Sequence, residues 1–87
     1  MKTQFFVEMT DTYGGEANYS WVNRFLVTAS TMRGAIRKVT HETGYPAKID
    51  YNTGDMARYN VLGACVCYFV SEADGNEAEQ YLRVKTL

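Results

Sequence analysis

Hydrophobic and polar positions change period several times along the chain. Phe5, Val7 and Met9 alternate with Phe6, Glu8 and Thr10, which predicts a first strand over Gln4 to Thr10. Asp11 to Ala17 breaks the alternation with the adjacent glycines Gly14 and Gly15 and predicts a loop, since glycine accepts φ > 0 without a Cβ clash. Asn18 to Ala29 predicts a long second strand. Trp21, Asn23, Phe25 and Val27 share one face, and Val22, Arg24, Leu26 and Thr28 share the other. The intervening loop is short enough for the two strands to pair antiparallel.

From Ser30 the period becomes helical. Met32, Ala35, Ile36 and Val39 fall at i, i+3, i+4 and i+7, so they share one side of a helix over Ser30 to Thr43. Ser30 or Thr31 supplies the N-cap oxygen. Gly44 stands where a left-handed residue closes a helix, and Pro46 lies beyond the stop. Gly34 inside the helix costs roughly 1 kcal/mol against alanine, and a glycine there lets a strand come close. Burial of four apolar side chains at roughly 1.5–3 kcal/mol each outweighs that cost.

Ala47 to Tyr51 predicts a third strand with Ile49 inward, followed by the turn signal Asn52-Thr53-Gly54-Asp55. Arg58 to Ser71 is the most apolar run. Its two faces, Cys65, Cys67, Phe69 and Val66, Tyr68, Val70, are both hydrophobic, so it predicts one central strand with a bulge or bend at Gly63. Glu72 to Glu79 predicts an acidic loop, and Gln80 to Leu87 a closing strand with Leu82 and Val84 inward and Arg83 and Lys85 outward. The order is β-β-α-β-β-β. The expected fold is α+β, a single domain over residues 1–87, with an antiparallel sheet of four to five strands and one helix packed on one face. One helix cannot cover both faces of such a sheet. Seven tyrosines, four phenylalanines and one tryptophan exceed what it can bury, so exposed aromatic surface is expected.

Composition narrows the function classes. The 46% hydrophobic and 14% aromatic content excludes a disordered chain. Nine basic and ten acidic residues give a net charge of −1, which argues against a general polyanion binder and against an acidic mimic of nucleic acid. Nothing at the N-terminus reads as a signal peptide, and no stretch reaches the roughly 20 apolar residues of a membrane helix. The expectation is a cytoplasmic, reduced protein without membrane contact. Asn18-Tyr19-Ser20 matches a glycosylation sequon by letter only.

Catalytic sets do not emerge. Cys65 and Cys67, at i and i+2, read as small buried apolar residues on one strand face. With His41 as the one further soft ligand they do not make a metal site. A thiolate is disfavoured in an apolar strand, and His41 near the helix end suits the helix dipole. Gly14-Gly15 lacks the Lys-Ser or Lys-Thr of a phosphate loop. No enzyme, metal or cofactor is expected.

Two surfaces remain. The stretch Tyr13 to Trp21, with Tyr13, Gly14, Gly15, Glu16, Asn18, Tyr19 and Trp21, holds the residue types of protein-binding hot spots. On the helix, Arg33, Arg37 and His41 recur at i, i+4 and i+8 with Lys38 beside them, away from the apolar stripe. They suit phosphate contacts, and neighbouring aromatics would suit single strands of nucleic acid.

The phrase Tyr13-Gly14-Gly15-Glu16-Ala17-Asn18-Tyr19-Ser20-Trp21-Val22, followed by the basic Arg24, resembles one found in small bacteriophage proteins of uncharacterised function. The general plan is similar to that of some small anti-CRISPR proteins. The resemblance implies a phage origin and carries over no site residue. The expected function is a non-enzymatic accessory protein, in the cytoplasm of a bacterial host, that binds and modulates a host or phage protein through an aromatic-rich surface. A nucleic-acid-binding module using the helix face, and a homodimer or larger homo-oligomer, are the alternatives.

Overall fold

The computed structural model describes residues 3–12, 20–73 and 84–87, with the backbone alone for Ser20 to Val22 and for Val84. Its elements are β1 (Thr3–Asp11), β2 (Ser20–Ala29), α1 (Met32–Thr43), β3 (Ala47–Asn52), β4 (Met56–Val61), β5 (Val66–Glu72) and β6 (Val84–Thr86). They form an α+β fold with one helix and one six-stranded sheet in the order β3-β4-β5-β1-β2-β6.

The sheet is mixed rather than wholly antiparallel. β1 pairs antiparallel with β2 and β5, and β4 pairs antiparallel with β3 and β5. β6 joins β2 in parallel, Arg24 opposite Val84 and Leu26 opposite Thr86. This register puts Lys85 beside Phe25, on the helix side of the sheet, where its side chain stays exposed and pairs with Glu42. Leu87 packs against the core. Leu82 and Arg83 lie outside the described residues.

The helix ends where its caps require. Thr31 is the N-cap, its Oγ1 accepting from the Gly34 amide at 3.0 Å, and Gly44 closes the helix at φ 78° with its amide on the Thr40 carbonyl. A Cβ on Gly34 would stand 3.3 Å from that capping hydroxyl, a tight contact, and 3.6 Å from Ala29 Cβ at the end of β2, an ordinary van der Waals contact, so the close neighbour is the helix's own cap rather than a strand. Ala35, Ile36 and Val39 are buried, as the stripe predicts, and Met32 packs at the margin.

Beneath the helix, Phe5, Val7 and Met9 of β1 meet Phe25 and Val27 of β2 and Tyr68 and Val70 of β5. The far face is more polar. There Thr10 and Cys67 lie opposite each other and are buried. Arg24 pairs with Glu8 at 3.0 Å, and the Arg58 guanidinium lies 5.6 Å from the centre of the Phe69 ring.

Three further expectations are corrected. The run Arg58 to Ser71 is a hairpin of β4 and β5, turning at Gly63 with φ 79°, and not one strand. Its length is the physical reason, being more than twice the usual five or six residues of a strand. Cys65 falls in that turn and is exposed, whereas Cys67 is buried, so they do not share a strand face. Ile49 is 50% exposed because β3 is the sheet edge and α1 lies over β1, β2 and β5.

Candidate interaction site

The edge strand β3 is exposed along almost its whole length. Every residue from Lys48 to Asn52 is exposed, and only Ala47 is half-buried. The exposed large hydrophobic residues among those described are Tyr45, Ile49, Tyr51 and Leu62. Ile49, Tyr51 and Leu62 lie at the β3–β4 end of the sheet, Ile49 opposite Tyr59 on the helix side and Tyr51 opposite Arg58 on the other face, whereas Tyr45 borders a cleft with Met9 and Phe25. Tyr45 precedes β3, Ile49 and Tyr51 lie on it, and Leu62 is tied to it by its amide, which donates to the Pro46 carbonyl at 3.1 Å.

The local sequence explains this placement. Gly44 ends the helix, and Pro46 cannot continue one, so the chain leaves α1 directly into the strand. Tyr68 anchors the exit: its buried hydroxyl lies 2.7 Å from Thr43 Oγ1 and donates to the Tyr45 carbonyl at 3.2 Å. Tyr45 is thereby held at the surface beside the helix end. A register shift between Ile49 and Tyr51 leaves Asp50 outside the ladder, and Asp50 pairs with Arg58 at 3.5 Å. Bulges and charges of this kind limit unwanted pairing at an open edge.

Between α1 and β3 runs a groove of about 430 Å³, bordered by Arg33, Ile36, Arg37 and Thr40 on the helix and by Pro46, Ala47 and Tyr59 on the sheet. It adjoins a second hollow of about 440 Å³ bordered by Arg37, Thr40, His41, Gly44 and Pro46. The structure therefore brings Arg33, Arg37 and His41 together along one groove. Lys38 is turned the other way, its Nζ donating to the Thr28 carbonyl at 2.5 Å. All four side chains are exposed.

At the far side of the helix C-terminus is a cleft of about 480 Å³, floored by Met9, Phe25 and Val66 and rimmed by Asn23, Thr43 and Tyr45. The Glu42–Lys85 ion pair stands at its rim. The hydrogen bond and charge of Lys85 hold the Glu42 carboxyl below its usual range. Glu42 and Lys85 satisfy each other there, and Thr43 is held by the Tyr68 hydroxyl.

Tyr13, Gly14, Gly15, Glu16, Asn18 and Tyr19 lie outside the described residues. Trp21 is placed by backbone alone, opposite Thr10, just past a register shift between Met9 and Thr10. That shift interrupts the alternation assumed for Trp21, Asn23, Phe25 and Val27. Burial pushes the Cys67 thiol above its usual range, against the attraction of Arg58. Among the described residues no three His, Cys, Asp or Glu side chains are grouped to hold a metal ion, and no helix is long and apolar enough to cross a membrane.

Tyr45, Tyr51 and Leu62 were not singled out by sequence, and Ile49 was expected inward. The available signal was the composition of β3: Lys48, Asp50 and Asn52 alternate with Ile49 and Tyr51, a short, charged strand after a proline, which is how edge strands are built. Comparison with known proteins gives no matching family model, no matching curated protein and no matching solved structure.

Proposed function

We propose that this chain is a small non-enzymatic interaction protein of the phage accessory type, which binds and modulates a host or phage protein through exposed aromatic and aliphatic surface. One observation carries the reading: the large hydrophobic side chains exposed among the described residues, Tyr45, Ile49, Tyr51 and Leu62, lie on β3 or just beside it, with Ile49 and Tyr51 on opposite faces of the sheet. Tyrosine offers large contact area for little lost entropy, and grouped apolar side chains on a small domain mark contact surfaces. The phrase Tyr13 to Val22 supports the phage-type origin and adds a second aromatic stretch to the same reading.

The test is capture of partners from bacterial lysate, with and without nuclease, using wild type, a Tyr45→Ala/Tyr51→Ala variant and a Tyr13→Ala/Tyr19→Ala variant. A specific protein retained after nuclease and lost in either variant is the expected result. Recovery that disappears with nuclease transfers the function to nucleic acid and the helix groove. Recovery unchanged by both variants removes the aromatic surfaces from the account.

A further inference from the structure

We infer that the β3 edge and the groove beside it form a strand-addition site for an extended, acidic segment of a partner protein. This rests on the interaction-protein reading and names how the partner is held.

The backbone at this edge is open in a defined pattern. The Leu62 amide bonds the Pro46 carbonyl. Hydrogen-bonded and non-hydrogen-bonded pairs alternate along an antiparallel ladder. Ala47 opposite Val61 and Ile49 opposite Tyr59 are therefore non-hydrogen-bonded pairs, whose amides and carbonyls turn away from β4. Among the described residues β3 has no neighbour on that side. An extended segment can pair with this short row, which the register shift after Ile49 terminates.

Charge selects the segment. Arg33, Arg37 and His41 border the groove, and among the described residues no carboxylate does. The nearby carboxylates are engaged elsewhere, Asp50 with Arg58 and Glu42 with Lys85. Ile36 and Tyr59, both buried, close the floor of the groove. An added strand turns alternate side chains to opposite faces of the sheet; carboxylates on the helix side complement Arg33 and Arg37, and apolar side chains on the other face run alongside Tyr51. A second copy of the chain does so poorly. Two-fold antiparallel pairing through β3 keeps both helices on one side of the joined sheet and brings two sets of Arg33 and Arg37 toward one another. Nucleic acid meets the arginines but makes no use of the strand amides.

The experiment titrates the full chain with an alternating Glu-Val peptide, its Lys-Val counterpart, the Glu-Val peptide N-methylated on alternate amides, and oligothymidylate. Amide exchange is followed in parallel. The acidic peptide is expected to bind with affinity that falls as salt rises, and to slow exchange at Ala47 and Ile49. The lysine and N-methylated peptides are expected to bind at least about tenfold more weakly. Arg33→Glu/Arg37→Glu is expected to lose about tenfold or more, while Lys85→Gln, on the other side of the helix, leaves affinity unchanged. Absence of acidic-peptide binding, binding without protection at Ala47 and Ile49, preference for oligothymidylate, or self-association through this edge each overturns the proposal. A partner captured from lysate through Tyr45 and Tyr51 but retained by the arginine variant defeats strand addition alone. Peptide binding at the edge with no captured partner defeats the cellular reading alone.

Discussion

The Tyr68 hydroxyl lies 2.7 Å from Thr43 Oγ1 and joins the middle of the sheet to the last turn of the helix. Tyr68 is fully buried, and its hydroxyl also reaches the Tyr45 carbonyl. One side chain thus fixes where α1 stops and where the chain enters the β3 edge. Tyr68→Phe keeps the ring and removes both contacts, leaving partly buried polar groups short of a partner. It is expected to cost about 1–2 kcal/mol and to lower Tm by about 5–10 °C for a domain of this size. Differential scanning calorimetry measures this directly. An unchanged Tm would mean that solvent replaces the hydroxyl at no cost.

The same burial makes stability depend on alkaline pH. Desolvation raises the Tyr68 pKa, against the opposing Thr43 hydrogen bond, and desolvation likewise raises that of Cys67. Unfolded thiol and phenol titrate near about 8.5 and about 10. Above those values the unfolded chain has lost protons that the folded chain keeps, so deprotonation favours unfolding. The contribution is whole below about pH 8.5 and is lost as pH climbs through the folded values. Urea unfolding across this range should show stability falling first through Cys67 and then through Tyr68. Cys67→Ala should flatten the lower part of the decline and Tyr68→Phe the upper part. Parallel curves for wild type and both variants would contradict the assignment.

Helix boundaries were legible because their determinants are local. Thr31, the Met32–Ala35–Ile36–Val39 stripe and Gly44 each act within a turn or two of the chain. The β1–β2 pairing was legible for the same reason, a short loop between two alternating runs. The β4–β5 hairpin was not, because Val61, Val66, Cys67, Tyr68 and Val70 form a nearly continuous apolar run and Gly63 alone marks the turn. Strand order escaped too. β6 lies parallel to β2, and Ile49 stays exposed because β3 ends up at the edge; both are consequences of long-range pairing. The helix cations were found from spacing, but their division into a groove set and Lys38 depends on which flank of α1 faces β3. The β3 edge itself was invisible until the sheet order was known.

The two cysteines should now differ sharply toward thiol reagents. Cys65 is exposed in the β4–β5 turn, whereas Cys67 is fully buried and burial disfavours its thiolate. Under native conditions a chromogenic disulfide reagent is expected to titrate one thiol rapidly, and the second at a rate set by opening of the sheet. Cys65→Ser should abolish the fast phase and leave the slow one. Two equally fast thiols would show that the β1–β5 pairing around Thr10 and Cys67 opens readily.

Capping offers a separate check on the helix. Thr31 Oγ1 is the acceptor for the Gly34 amide at 3.0 Å, and that amide is one of the orphan donors of the first turn. Thr31→Ala is expected to cost about 1 kcal/mol, whereas Thr31→Asp, which keeps an acceptor and adds negative charge at the positive end of the helix, should retain most of the stability. Equal losses in both variants, measured by urea unfolding, would place the determinant elsewhere.

Two isoleucines make the sharpest contrast between core and edge. Ile36 is 3% exposed beneath α1, and Ile49 is 50% exposed on β3. The same substitution removes the same atoms at both positions. At Ile36, alanine leaves a cavity among Ala35, Val39 and the sheet, and the expected loss is about 2–5 kcal/mol. At Ile49 most of the side chain already faces solvent, so alanine is expected to change stability by no more than about 0.5 kcal/mol. A side chain that contributes so little to folding is free to contribute to contact with another molecule. Ile49→Ala should therefore leave the unfolding curve nearly unchanged while weakening partner capture. If Ile49→Ala instead destabilises as much as Ile36→Ala, the β3 edge is covered in solution by something that holds the fold together, and the edge is structural rather than a docking surface.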